Sequence, residues 1–277
     1  MNGEDTMRKI LFTDLDGTLL KNDKTISEKN RTAIKKMLDA GHYVVVATGR
    51  PVKSAFDVVK SLGLTIPGCY MIAFNGAVVY DCAADMALME ETIPIEYVEY
   101  LFEEAKAYGL HVQTYTQTHL LTQTKGKELE YYVKTTKMPY KLVKNVFSEL
   151  ESEPCKVLLA SLDDKEKLLR FQQDHMEWEL GKCNSFFSCE EYLEYCPEYT
   201  DKGKGILFLR KFLNVEQENT YAVGDERNDI PMLKEAGTGI AVKNAVEKAK
   251  YAANYVTEND NEHDAIAEII EKFILTE

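Results

Sequence analysis

Apolar residues along this chain alternate between two rhythms. A short unbroken run, Lys9 to Thr13, reads as a buried strand. Beyond Ser27, a helix N-cap, the residues Ala33, Ile34, Met37 and Leu38 share one helical stripe that stops at Gly41. HYVVVATGR then supplies a second buried strand. The same alternation returns late in the chain, with a helix from about Lys204, the strand TYAVGD, a helix from about Asn228 and the strand GIAV. Near-continuous β-branched strands alternating with amphipathic helices predict a parallel sheet covered on both faces. The expected fold class is therefore α/β, a doubly wound, Rossmann-like core.

The middle of the chain follows another pattern. A helix with Tyr97, Leu101, Phe102 and Ala105 leads into HVQTYTQTHLLTQT, which alternates like paired strands. KVLLASL, NSFFS and EYLEY continue the helix-and-hairpin character. This predicts an α+β domain over residues 81–197 inserted into a core made of 1–80 and 198–277. The Thr, Gln and Tyr alternation at 113–124 reads as a solvated hairpin, with a sugar-binding face as the alternative.

Composition narrows the class. The formal net charge of -13 repels phosphate backbones and anionic membrane surfaces, so neither nucleic acid nor membrane is an expected partner. The six cysteines form no CxxC pair or zinc-type grouping and read as reduced thiols of a cytoplasmic protein. No segment resembles a signal peptide or a membrane span. Met7 follows a polar leader and could itself be a start, so residues 1–6 carry no argument.

The chemistry gathers where the predicted strands end, which is where ligands bind in open parallel sheets. Asp14 and Asp16 follow ILFT; Thr48, Gly49 and Arg50 follow VVVA; Asn75 and Gly76 follow MIAF; Asp225, Asn228 and Asp229 follow YAVG. Lys202 precedes the late helix. Singly, each has a structural reading: Asp-x-Asp-Gly as a turn, Thr48, Asn75 and Asp225–Asp229 as caps, Lys202 as a solvated loop residue. Together they supply a nucleophile, a hydroxyl, a cation and metal-binding carboxylates at successive ends of one sheet.

In that order DLDGTLL, VVATGRP, the NGA of FNGAVV, DKGKGIL and GDERNDIPML resemble the motifs of the haloacid dehalogenase superfamily, in its Cof-like branch with a large α/β cap. The resemblance implies a Mg²⁺-dependent phosphatase acting on small phosphorylated metabolites. It makes Asp14 the nucleophile that forms an aspartyl-phosphate, and it implies a metal site from Asp14, the carbonyl of Asp16 and Asp225, oriented by Asn228 and Asp229. Thr48 and Lys202 then stabilise the transferring phosphoryl group, and Gly49, Arg50, Asn75 and Gly76 face the substrate. The Asp16 side chain is left to shuttle protons, which requires a carboxyl shifted upward by its neighbour and a closed cap. The cap is expected to choose the substrate without being needed to assemble the strand-end site.

Rival readings are a phosphomutase of related fold and a phosphoryl-binding module without catalysis. GTGIAV precedes a strand and lacks the third glycine of a dinucleotide loop, and no P-loop is present. The five histidines have no metal spacing and read as structural or exposed.

Overall fold

A computed structural model describes residues 7–276; the leader 1–6 lies outside the described residues. Two sheets organise it, one of eight strands and one of six. The chain opens with β1 (Ile10–Asp14), whose residues are all buried. Helix α1 (Glu28–Asp39) follows, capped as its sequence requires: the Ser27 side chain accepts from the Asn30 amide. Next come β2 (Tyr43–Ala47), α2 (Val52–Ser61) and β3 (Cys69–Ala73), all three strands parallel. Strands β4 (Val78–Asp81) and β5 (Met86–Glu90) then add to the same sheet as antiparallel edges. The large sheet thus continues to Glu90, past residue 80, where the apolar pattern set the end of the core segment. β5 is half-exposed to exposed, so its buried-strand signal is weak.

The second sheet takes the next strands. Helix α3 (Ile95–Ala107) buries Val98, Leu101, Phe102 and Ala105. Then come β6 (His111–Tyr115), β7 (Leu120–Thr122), α4 (Lys127–Thr136), β8 (Tyr140–Leu142), β9 (Val157–Ala160), α5 (Lys165–Glu179), β10 (Cys183–Cys189) and β11 (Tyr192–Pro197). Their spatial order is β10-β11-β9-β6-β7-β8. The chain returns through α6 (Lys202–Phe212), β12 (Thr220–Gly224), α7 (Ile230–Glu235), β13 (Thr238–Ala241), α8 (Glu247–Ala252), β14 (Tyr255–Val256) and α9 (Ala265–Ile269).

The eight strands run β14-β13-β12-β1-β2-β3-β4-β5. Strand order reverses between β1 and β12, which pair in parallel, so the carboxyl ends of these two strands form the mouth of the sheet.

The smaller sheet has two unlike faces, because side chains alternate along each strand. Val157, Leu159, Leu193 and Tyr195 pack with α3 and α5 in a separate apolar cluster. Leu158 and Ala160, with Tyr115, join the hydrophobic core that the large sheet anchors. Residues 113–124, expected to be a solvated hairpin, are solvated only at the tip 116–119 and at Gln123 and Thr124; in the paired strands Gln113, Thr114, Leu120 and Thr122 are fully buried. Their polar groups are satisfied internally, as Gln113 Nε2 donates to the Tyr115 hydroxyl at 2.7 Å and Thr114 Oγ1 to the Lys156 carbonyl at 2.8 Å. Polar alternation here marks a buried hydrogen-bonded face, which an alternation pattern alone cannot distinguish from a wet one. No helix among the described residues is long and apolar enough to cross a membrane.

Candidate active site

Asp14 is the last residue of β1 and points into the mouth of the sheet, 7% exposed. Gly17 explains the tight turn behind it: its φ is +86°, and a Cβ there would lie 2.5 Å from Asp225 Oδ2. The chain therefore passes directly beneath Asp225, the residue after β12. Thr18 Oγ1 donates to Asp225 Oδ1 at 2.7 Å, fixing that carboxylate. Asp229 lies one short turn further on; its Oδ2 accepts the backbone amides of Asp225 and Glu226, each at 2.9 Å. Asp14, Asp225 and Asp229 each bring a carboxylate oxygen within 4.8 Å of the others.

Among these carboxylates sits Lys202, fully buried in the first turn of α6. The Asp201 N-cap, which accepts from the Lys204 amide at 2.9 Å, starts the helix two residues before the expected Lys204 and so carries Lys202 inward. Its ammonium donates to Asp14 Oδ1 at 2.6 Å and to Asp229 Oδ1 at 2.5 Å. One cation faces three acids. Burial pushes the Asp14 carboxyl well above the ordinary carboxylate range; Lys202 opposes that rise, and Asp229 and Asp225 add to it. Burial, then Asp229, raise Asp225 to about 7. The cluster has more negative charge than its protein neighbours offset, and its donors are all hard oxygens, the combination that suits a divalent cation such as Mg²⁺.

Asp16 is placed differently from the expectation. Arg50 grips it from two directions, Nε to Oδ2 and Nη2 to Oδ1, both at 2.7 Å, and Lys24 Nζ reaches Oδ1 at 2.8 Å. Burial works to raise the Asp16 carboxyl, but Arg50 and Lys24 outweigh it and hold it below its usual value. The expected upward shift is overturned, because the nearest charges are two cations rather than the neighbouring carboxylate.

Thr48 follows β2, buried, with its hydroxyl accepting from the Arg50 amide at 3.2 Å. Asn75 takes a left-handed backbone conformation after β3 and is 1% exposed. Gly76 has a φ of +106° and a Cβ there would stand 2.0 Å from the Asp201 carbonyl, so glycine lets the β3 end abut the start of α6. Asn228 donates its amide to Asn75 Oδ1 at 3.0 Å. Of the expected residues, then, Asp14, Lys202, Asp225 and Asp229 converge; Asn75 and Asn228 pair; Arg50 and Asp16 pair.

Two residues of the second sheet went unread in the sequence. Glu194 of β11 accepts from Asn75 Nδ2 at 2.8 Å, and Lys156, just before β9, donates to the Gly49 carbonyl at 2.9 Å and to Glu194 at 3.1 Å. The period of EYLEYCP places Tyr192, Glu194 and Cys196 on one face, which is the available signal, but nothing local gives Glu194 its partners. The histidines, read as structural or exposed, divide that way: His175 stacks on Phe171 and His111 contacts Gln113, while His263 is exposed.

Comparison with known proteins agrees with this geometry. The profile of a family described as haloacid dehalogenase-like hydrolase matches residues 11–270. The 5-amino-6-(5-phospho-D-ribitylamino)uracil phosphatase YitU of Bacillus subtilis (strain 168) is 28% identical over 280 residues, covering 97% of this chain and 98% of that protein. The pyridoxal phosphate phosphatase YbhA of Escherichia coli (strain K12) is also 28% identical over 280 residues, covering 95% of this chain and 97% of that protein. A crystal structure of a haloacid dehalogenase-like hydrolase from Bacteroides thetaiotaomicron superposes with a TM-score of 0.88 at 29% identity, covering 95% of this chain and 98% of that one. The chain belongs to the haloacid dehalogenase-like hydrolase family and is a phosphatase of that family.

Proposed function

We propose that the chain hydrolyses small phosphate monoesters through an aspartyl-phosphate on Asp14, with Mg²⁺ bound by Asp14, Asp225 and the Asp16 carbonyl and oriented by Asp229 and Asn228. The observation that carries this reading is the buried Asp14 carboxylate with Lys202 2.6 Å away, inside a cluster with Asp225 and Asp229. The metal would supply positive charge that offsets repulsion between Asp14 and the phosphate. Asp14 attacks phosphorus and the alkoxide leaves; Lys202 and Thr48 stabilise the charge that develops on the phosphoryl oxygens.

Asp16, ionised beside Arg50, is in the right form to take a proton from the water that cleaves the aspartyl-phosphate. It can act as the acid of the first step only after Arg50 turns to the incoming phosphate, whose charge competes with Asp16 for the same guanidinium.

Residues 91–197, which follow β5 and carry the second sheet, act as the cap of this site. A cavity of about 320 Å³ is lined by Lys202, Asn75, Asn228 and Arg227 and, from the second sheet, by Asn184 and Phe186. That volume suits the leaving group of a small metabolite, in keeping with the two relatives named for phosphorylated metabolites. Phosphate release should be followed with Mg²⁺ on an aryl phosphate, sugar phosphates, nucleotides, pyridoxal phosphate and flavin mononucleotide. Full activity in excess chelator, or in Asp14→Asn, would sink the mechanism.

A further inference from the structure

Lys156 and Glu194 form an ion pair that the chemistry above does not use. Both side chains are almost completely buried, at 1% and 5% exposure. Glu194 comes from β11 and Lys156 from the residue just before β9, the strand that pairs with β11 in the second sheet. They lie on the face of that sheet turned toward the large sheet, and every bond they make beyond their own sheet ends on a loop at the active site. Lys156 Nζ donates to the Gly49 carbonyl at 2.9 Å, and the rings of Tyr115 and Phe74 flank it at 5.3 and 5.6 Å. Glu194 Oε2 accepts from both Lys156 and Asn75, while Oε1 accepts from Ser188 Oγ at 2.8 Å.

Gly49 and Asn75 are themselves in contact, since a Cβ on Gly49 would stand 3.0 Å from the Asn75 amide. Gly49 joins Thr48 to Arg50, and Asn75 passes the connection to Asn228, next to the carboxylate cluster. Taking two charges out of water is costly, and a buried pair is often replaceable by apolar residues without loss of stability. Burial of this pair at the joint between two sheets, with each member spending a bond on an active-site loop, therefore points away from a purely stabilising role.

We propose that Lys156 and Glu194 are positioning residues. With the second sheet docked they set the backbone of the Thr48–Arg50 loop and the rotamer of Asn75, so that the phosphoryl-binding groups reach their working geometry only when the cap is seated. The inference rests on the phosphatase reading, and the experiment separates the two.

Phosphate release from an aryl phosphate should be measured for the full chain, Asp14→Asn, Lys156→Met, Glu194→Gln, the double variant Lys156→Met/Glu194→Gln, and Ser188→Ala. Thermal midpoint and Mg²⁺ half-saturation are read beside kcat. The double variant, which carries no unpaired buried charge, should keep a thermal midpoint close to that of the unaltered chain and lose about 10–100-fold in kcat, the scale of a displaced catalytic group. Its Mg²⁺ half-saturation should stay within twofold, because no metal carboxylate is touched. A pair that served stability alone would give the double variant the kcat of the unaltered chain, and that result overturns the proposal. A shift in Mg²⁺ half-saturation matching the kcat loss overturns it as well, by placing the effect at the metal. Should the double variant not fold, Ser188→Ala frees one Glu194 oxygen, and it should lower kcat two- to threefold; an unchanged kcat there contradicts the proposal. If the unaltered chain releases no phosphate from any ester, the phosphatase reading fails, and that outcome is distinct from loss of the positioning role.

Discussion

Two ammonium groups are buried at the mouth of the large sheet, and they came to be there in different ways. Lys202 arrives from below, in the first turn of α6, and meets Asp14 and Asp229. Lys156 arrives from above, out of the second sheet, and meets Glu194 and the Gly49 carbonyl. The same rule governs both, since a lysine that stays charged in a protein interior needs an acid to meet it. They differ in surplus. Lys202 has more acids around it than it can neutralise, which leaves a site that calls for a further cation. Lys156 is matched one to one, which leaves a closed joint. In this account the surplus at Lys202 marks the chemistry, and the balanced pair at Lys156 marks the positioning proposed above.

The largest effect that would break this contrast is at Asp14. Asp14→Asn should lower kcat by on the order of 10⁴–10⁶-fold, the range seen when a nucleophile is removed, as measured by phosphate release. Asp16→Asn comes next, slowing hydrolysis of an alkyl phosphate by about 10²–10⁴-fold while Mg²⁺ binding survives. Lys202→Met should cost about 10²–10³-fold in kcat, the scale of a lost charge stabiliser. The same change removes a positive neighbour from three carboxylates, so its Mg²⁺ half-saturation should fall. Equal Mg²⁺ dependence in Lys202→Met and Lys156→Met would erase the distinction between surplus and balance.

A smaller effect follows from Asp225, whose carboxyl is raised from 3.8 to about 7. A carboxyl that titrates higher in the folded than in the unfolded chain contributes stability below about pH 4, and that contribution is lost as pH rises through about 7. The thermal midpoint of the chelator-treated chain should therefore decline between these values, and Mg²⁺ should restore most at and above pH 7. A midpoint independent of both pH and Mg²⁺ across this window would remove Asp225 from the metal site.

The unequal legibility of the two lysines has a physical origin. Asp14, Asp225 and Lys202 sit at element ends of a parallel sheet, and topology alone brings such ends together, so order along the chain was enough to assemble them. Helix α1 was legible for a local reason, its Ser27 cap and apolar stripe. Lys156 and Glu194 lie on a sheet face, where a side chain's surroundings depend on what the face packs against. KVLLASL shows only a lysine ahead of an apolar run, and it is the docking of one sheet on the other that buries that lysine. The paired strands of the hairpin at 113–124 were misread for the same cause, as Tyr115 turns inward to Lys156 and to Tyr132 of α4, while the tip is solvated as expected. The charge of Asp16 escaped as well, because the sequence shows Asp14 two residues away and hides Arg50, which folding brings from the end of β2. Replacing the cap by a linker, expected from the sequence to spare the strand-end site, should instead free Gly49 and Asn75.

The claim on which all of this rests is that Asp14 becomes phosphorylated. Asp16→Asn, slowed in the second step, should be mixed with Mg²⁺ and an aryl phosphate, quenched in acid within the first turnovers, and mapped by peptide mass. The account predicts a phosphoryl group on the peptide that carries Asp14, absent with chelator and absent in the Asp14→Asn/Asp16→Asn chain. An unmodified chain under conditions where alcohol has been released, or a phosphoryl group on any other residue, would contradict it.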